Sequence, residues 1–266
     1  VRIVHIDREP VHALAYLDAA PRGGTQTREL PLYRARVDRL PAGLDAVLVT
    51  SDLQGRAETG GSLRLLGEAL AEEYATLAEL ELVPPPQRAG VVLAGDLYAA
   101  PEADRMGATG DVRDVWRAFA ARFRWVAGVA GNHDLFGAPA EQARFTREPG
   151  IHLLDGDSVT LDELRIAGLG GICGRAGKPN RRPPEVFVAA VRRLHATRPH
   201  LLVLHEGPEG GPDQRGNPEL SKAADAPRTL VVCGHCHWRD PLADLPGGGQ
   251  VLNVDARAVL LERADA

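Results

Sequence analysis

Five short polar clusters carry the side chains able to do chemistry in this chain. They are Thr50-Ser51-Asp52-Leu53-Gln54-Gly55, Gly95-Asp96-Leu97-Tyr98, Gly131-Asn132-His133-Asp134, His205-Glu206-Gly207-Pro208 and Gly234-His235-Cys236-His237. Each directly follows an aliphatic run. Carboxylates, imidazoles and an amide gathered at one edge of a sheet are what two adjacent divalent ions require: a bridging carboxylate, oxygen and nitrogen donors around it, and open positions for water and substrate. Taken singly, Asp96 reads as a cap or turn residue, Asn132 as a turn former, and His205 as a satisfied, partly buried histidine. Their order carries the argument. Gly-Asn-His followed by Asp or Glu arises by chance on the order of once in a thousand chains of this length at average residue usage, and Gly-His-x-His is similarly rare.

The elements that must position these clusters alternate between strand and helix from residue 46 onward, the pattern of an α/β layered fold. Residues 46–50, 90–94, 125–129, 200–204 and 229–233 read as buried strands. Residues 62–82 read as a helix with Ser62 as N-cap and Leu63, Leu66, Leu70, Leu77 and Leu80 near helical spacing, stopped by Pro84-Pro85-Pro86. A second helix starts at Asp111 and runs to about Phe123, and a third is opened by Pro183-Pro184, where a missing N–H is harmless, and runs to about Thr197. Residues 151–154, 158–161 and 164–169, joined by Asp-Gly-Asp and Asp-Glu turns, predict an antiparallel meander. Residues 250–254 and 258–261 predict a closing hairpin, and 207–218 a long surface loop. The first 45 residues, with a strand at 2–6 and a polar loop at 21–29, are expected to be an N-terminal add-on to a single domain spanning 1–266.

Composition bounds the partners. The 266 residues are 44% hydrophobic and 25% charged, with 31 basic against 36 acidic residues and a net charge of −5. Such a surface is not built to attract nucleic acid or an anionic leaflet as a whole, so phosphate recognition must be local. No apolar run approaches the ~20 residues of a membrane helix, and Asp7, Arg8, Glu9 and Asp18 interrupt any secretory leader. Three cysteines do not make a disulfide framework. Cys233 and Cys236 have CxxC spacing but lack the second pair that zinc sites usually bring. A cytoplasmic location is expected. His5, His12, His152, His195 and His200 fall outside any cluster.

The clusters in this order resemble the calcineurin-like metallophosphoesterase superfamily, whose pattern is DxH, GDxx, GNH[DE], a lone His after a strand, and GHxH. The resemblance covers about residues 46–255 and implies a four-layer αββα double β-sandwich. It implies a first metal held by Asp52, Gln54, Asp96 and His237, a second held by Asp96, Asn132, His205 and His235, and Asp96 bridging both. His133 would act beside the phosphate as general acid or charge stabiliser, with Asp134 orienting its ring. Two ions about 3.5–4 Å apart would activate one water for in-line displacement at a phosphomonoester or phosphodiester. Mn²⁺ is the expected metal, with Fe, Zn or Ni as alternatives.

One position departs from the pattern: Gln54 stands where the family has His. An amide oxygen is a neutral, harder and weaker donor than imidazole, so the first ion should be looser, or Gln54 should not ligate at all. Arg175, Lys178, Arg181 and Arg182 form a basic segment that reads either as a solvated loop or as a phosphate-facing one, and the expectation is that it binds substrate. The substrate expected is a small molecule or nucleotide rather than a membrane or a nucleic acid. Gly95-Asp96-Leu97-Tyr98-Ala99 and Asp134 depart from the GDxVDRG and GNHE of protein phosphatases in the superfamily. The alternative is a non-catalytic interaction subunit on the same fold, like the retromer subunit that has lost catalytic residues; the histidines retained here argue against it.

Overall fold

The computed structural model describes residues 1–175 and 177–264. Two sheets face each other. The first has the order Ile151–Leu153, Trp125–Gly128, Ala89–Leu93, Ala46–Ser51, Arg257–Arg263, Thr25–Val37, His12–Ala19, Arg56–Thr59, Ser62–Leu65, with Ile3–Ile6 also paired to Thr25–Val37. The second has the order Asp157–Leu161, Leu164–Leu169, Leu201–Glu206, Leu230–Gly234, Gln250–Asn253, Leu242–Asp244.

Ala46–Ser51 shows why these runs are apolar throughout. Alternate side chains leave opposite faces of a strand, and here both faces are covered. Ala46 and Leu48 pack toward Leu66, Leu70 and Trp116, while Val47 and Val49 pack between the sheets with Ile166, Val203 and Val232. Helices α1 (Leu66–Glu79) and α2 (Arg113–Ala120) cover the outer face of the first sheet, joined by Phe145 of α3 (Pro139–Phe145). Helices α4 (Pro184–Ala196) and α5 (Pro218–Ala223) cover the outer face of the second. The result is the expected αββα arrangement, with parallel central strands in each sheet. In such sheets, sites form beyond the carboxyl ends of the strands.

Four elements differ from the sequence reading. Residues 62–65 are a strand, not the first turn of a helix, because Gly60 (φ 57°) and Gly61 (φ 75°) make a two-residue hairpin that pairs Ser62–Leu65 with Arg56–Thr59. Helix α1 therefore starts at Leu66, and the Glu68 carboxylate rather than Ser62 serves its first turn, accepting from the Leu65 N–H at 3.2 Å. Residues 151–153 do not extend a meander; they pair in parallel with Trp125–Gly128 in the first sheet, leaving Asp157–Leu161 and Leu164–Leu169 as an antiparallel hairpin at the edge of the second. The last two strands are not a hairpin either. Gln250–Asn253 runs parallel to Leu230–Gly234, whereas Arg257–Arg263 crosses into the first sheet between Ala46–Ser51 and Thr25–Val37. Helix α5 begins at the end of the loop read at 207–218, in a stretch to which the sequence reading assigned no element, and the Asn217 side chain at its N-terminus accepts from the Glu219 N–H at 3.1 Å. Through Thr25–Val37, the hairpin it forms with His12–Ala19 is continuous with the first sheet.

Candidate metal centre

Asp52 (φ 54°), Asp96 (φ 55°) and His235 (φ 67°) all take the left-handed conformation just past their strands. That region is unfavourable for non-glycine residues by about 1–2 kcal/mol each, and such strain gathers at functional sites. Two glycines let the resulting loops close on one another. A Cβ at Gly131 would fall 2.0 Å from Asp96 Oδ1, and one at Gly234 would fall 2.1 Å from Asp52 Oδ2.

The approach brings donor atoms of Asp96, His205 and His235 within 4.8 Å of one another. His205 is fully buried, and its Nδ1 lies 2.8 Å from the Ala94 carbonyl. A carbonyl only accepts, so Nδ1 carries the proton and Nε2 is turned into the cluster, 3.3 Å from Asp96 Oδ2. Asn132 follows Gly131 and precedes His133, whose backbone N–H donates to Asp96 Oδ1 at 2.8 Å. Asn132 Oδ1 and His205 Nε2 are both buried without a hydrogen-bond partner. Buried polar atoms normally have one. An orphaned His205 Nε2 beside a buried carboxylate and a second imidazole, with an orphaned amide oxygen in the loop that touches Asp96, fits a divalent cation with mixed oxygen and nitrogen ligands.

The electrostatics agree. Burial raises the Asp52 carboxyl to about 8. Burial opposes the charged form of His205, yet Asp96 and then Asp52 outweigh it and lift the imidazole to about 10. Burial also disfavours the Asp96 carboxylate, but the His205 charge beside it leaves its pKa below the usual range. Desolvation and then the His205 charge lower His235. Asp52 and His205 hold their protons tightly, and metal binding there would have to release them.

A family model for calcineurin-like phosphoesterases matches residues 46–239. The chain belongs to that family. Membership supports a phosphoester hydrolase, and the family is metal-dependent. Curated proteins offer no match. Among solved structures, TT1561 of Thermus thermophilus is similar at 17% identity with a TM-score of 0.53, covering 80% of this chain and 90% of that one. A 5'-nucleotidase precursor from the same organism is similar at 16% identity with a TM-score of 0.45, covering 79% of this chain and 48% of that one. At these identities the first likeness speaks to the fold.

The other residues singled out in the sequence fall into three groups. Asp52, Gln54, Asp96, His133 and His235 line one pocket of about 310 Å³. His237 is not among its lining residues; its side chain is 58% exposed, with Nδ1 3.2 Å from Asp255 Oδ1 and Nε2 3.4 Å from Arg257 Nη2. The Gln54 amide donates to Asp96 Oδ2 at 2.9 Å. The expected contact between Asp134 and the His133 ring does not form, because the buried Asp134 carboxylate accepts instead from the backbone N–H groups of Asp96, Leu97 and Gly131, each at 2.8 Å. Burial, then the Asp96 charge, raises Asp134 to about 6. Thr109 takes the place given to Asp134, with Oγ1 3.1 Å from His133 Nδ1.

Arg175, Lys178, Arg181 and Arg182 are not among the residues lining that pocket. Arg182 is bonded to both Asp155 oxygens and to the Gly170 carbonyl. The segment nonetheless touches the site through Asn180, whose amide donates to the carbonyls of Gly131 at 2.9 Å and Asp134 at 2.7 Å. The pocket's cationic side chains are Arg28 and Arg105, and Tyr16 and Tyr98 add aromatic walls. Tyr98 closes the Gly95-Asp96-Leu97-Tyr98 cluster, whereas no local motif marks the other three: Tyr16 and Arg28 arrive through the strand pairing of the N-terminal hairpin. Burial raises both thiols of the CxxC pair, the opposite of a reactive thiolate.

Proposed function

We propose that this chain is a metal-dependent phosphohydrolase acting on a small-molecule or nucleotide phosphoester, with its ion held by Asp96, Asn132, His205 and His235. The observation that carries this reading is the convergence of the Asp96, His205 and His235 donor atoms within 4.8 Å, with His205 Nε2 and Asn132 Oδ1 both buried and without a hydrogen bond. An ion held there would supply Lewis acidity for phosphoester hydrolysis. The chain's own residues do the rest. His133 lines the same pocket and is positioned by Thr109, so its free ring nitrogen is available to hold or deliver a proton at the leaving oxygen. Arg28 and Arg105 neutralise the phosphate's remaining charge, since guanidinium groups suit multi-oxygen anions.

Mn²⁺ suits two oxygen and two imidazole donors and is the first metal to test. The three cysteines are unpaired, as a reducing compartment would keep them, and the proposal places the protein in the cytoplasm. No described helix is long and apolar enough to cross a membrane. The test is a panel of phosphomonoesters and phosphodiesters assayed with Mn²⁺-loaded protein and with Asp96→Asn. Hydrolysis of at least one ester that Asp96→Asn abolishes, together with its bound metal, supports the reading. An inert wild-type protein, or near-normal turnover by Asp96→Asn, refutes it.

A further inference from the structure

A carboxylate that bridges two ions needs two free lone pairs toward them, one for each. On Asp96 part of that freedom is already taken. Its Oδ1 accepts the His133 backbone N–H at 2.8 Å, and its Oδ2 accepts the Gln54 amide N–H at 2.9 Å while facing His205 Nε2 at 3.3 Å. Each carboxylate oxygen offers about two acceptor directions. On Oδ2, one is taken by Gln54 and the other faces the cluster of His205 and His235. The amide therefore competes with any second ion for the Asp96 oxygen that faces the cluster.

The far side of that second position is closed as well. His237 donates from Nδ1 to Asp255, which leaves Nε2 as its only free acceptor. That atom is already opposed by Arg257 Nη2 at 3.4 Å. Arg257 is 6% exposed and is tied to the Trp238 carbonyl through the same nitrogen, so it is not free to swing away. A guanidinium has no acceptor and stays charged at any pH the fold survives. Asp52, the remaining donor of that position, spends Oδ2 on the Ser51 hydroxyl at 2.7 Å and the His235 backbone N–H at 3.0 Å.

We infer that this chain holds one ion rather than two, and that Gln54 and Arg257 replace the other: Gln54 as a hydrogen-bond donor that fixes the Asp96 carboxylate, Arg257 as a resident positive charge beside His237. Gln54 is thus a positioning residue for the retained ion. The inference rests on the proposed metal centre but is separable from it.

The test titrates metal-stripped, full-length protein with Mn²⁺ and reads bound metal per chain by elemental analysis and electron paramagnetic resonance. Wild type is expected to take up one Mn²⁺ per chain with the spectrum of an isolated ion. Asp52→Asn, which keeps the shape of the side chain, should still bind one. Asn132→Ala should weaken that ion by at least the ~10–100-fold that follows loss of even an outer-shell partner. Two ions per wild-type chain, or an exchange-coupled spectrum, overturn this inference and leave the phosphohydrolase reading standing. Loss of the ion in folded Asp52→Asn with retention in Asn132→Ala overturns it too, by placing the ion in the other position. A wild-type chain that binds no Mn²⁺ removes the metal centre and this inference together.

Discussion

Gly234→Ala isolates how tightly the two sheets are docked at the site. Gly234 ends the strand Leu230–Gly234 with a backbone that alanine can adopt, so a change in stability reports space and not strain. The added methyl carbon would lie 2.1 Å from Asp52 Oδ2, 2.2 Å from Ser51 Oγ and 2.8 Å from Ser51 Cβ. Overpacking of this kind costs about 1–3 kcal/mol. Above about pH 8, where Asp52 is ionised, it also pushes the carboxylate off the Ser51 hydroxyl and the His235 N–H, and a hydrogen bond to a charged group contributes about 1.5–3 kcal/mol. With one such bond lost, the expected destabilisation is about 3–5 kcal/mol, a large share of the ~5–15 kcal/mol available to a domain.

Urea unfolding followed by circular dichroism measures this, and at a slope of about 1–3 kcal/mol/M the midpoint should fall by more than 1 M. Gly43→Ala is the control. Its methyl would meet only Arg124 Nη2 at 3.8 Å, an ordinary contact, and loss of unfolded-state freedom should leave it neutral or up to ~1 kcal/mol more stable. In an Asp52→Ala background the Gly234→Ala penalty should shrink by at least ~1 kcal/mol, because the closest overlapping atom is gone. A Gly234→Ala protein within ~0.5 kcal/mol of wild type would refute the docking argument.

His133→Ala should keep its metal and lose roughly 10²–10⁴-fold in turnover, as removal of a general acid does, and elemental analysis beside steady-state kinetics separates the two effects. Asp162 links the sheets by accepting from Arg124 and from the Trp125 indole at 2.8 Å, and the Arg124 bond, foremost, lowers its pKa. Its contribution is therefore present above the unfolded carboxyl's pKa and is lost as pH falls through the lower folded value. Asp162→Asn should accordingly flatten the stability profile in the acid range below about pH 4, and an unchanged urea-midpoint profile would contradict this. In the two-residue turn of the same hairpin, Asp162 (φ 46°) and Glu163 (φ 65°) are both left-handed, so Glu163→Gly should stabilise by about 1 kcal/mol in the same unfolding assay.

The polar clusters were legible because each is a local string behind a local apolar run. Asp96, Asn132, His133, His205 and His235 could be picked out before any strand pairing was known. What surrounds them was not legible, since Thr109 reaches His133 across 24 residues, Asn180 reaches Gly131 across 49, and Arg257 meets His237 across 20. Those contacts depend on how strands pair, which periodicity does not encode. The same limit misplaced the last two strands, whose spacing suits a hairpin although they enter opposite sheets. At residues 62–65 two signals competed, and the Gly60-Gly61 turn prevailed over leucine spacing because a tight two-glycine hairpin fixes register directly.

The carboxylates of the site also organise it mechanically, through backbone N–H groups rather than side chains. Asp134 gathers Asp96, Leu97 and Gly131, tying the loop after Ala89–Leu93 to the loop after Trp125–Gly128. Asp96 returns the tie by accepting from His133, and Asp52 accepts from His235, which joins the first sheet to the second. All of these bonds but the one from Gly131 to Asp134 span two different cluster loops, so the loops fix one another. This arrangement concentrates three buried or pocket-facing acids, which repel one another when ionised and so push Asp52 and Asp134 upward once burial has done the same. The cations that relieve that repulsion are His205, when protonated, and a divalent ion once His205 has given up its proton. A loop set held together by its own anions is relieved when a cation sits among them, so the proposed ion would be part of the fold of the site as well as of its chemistry.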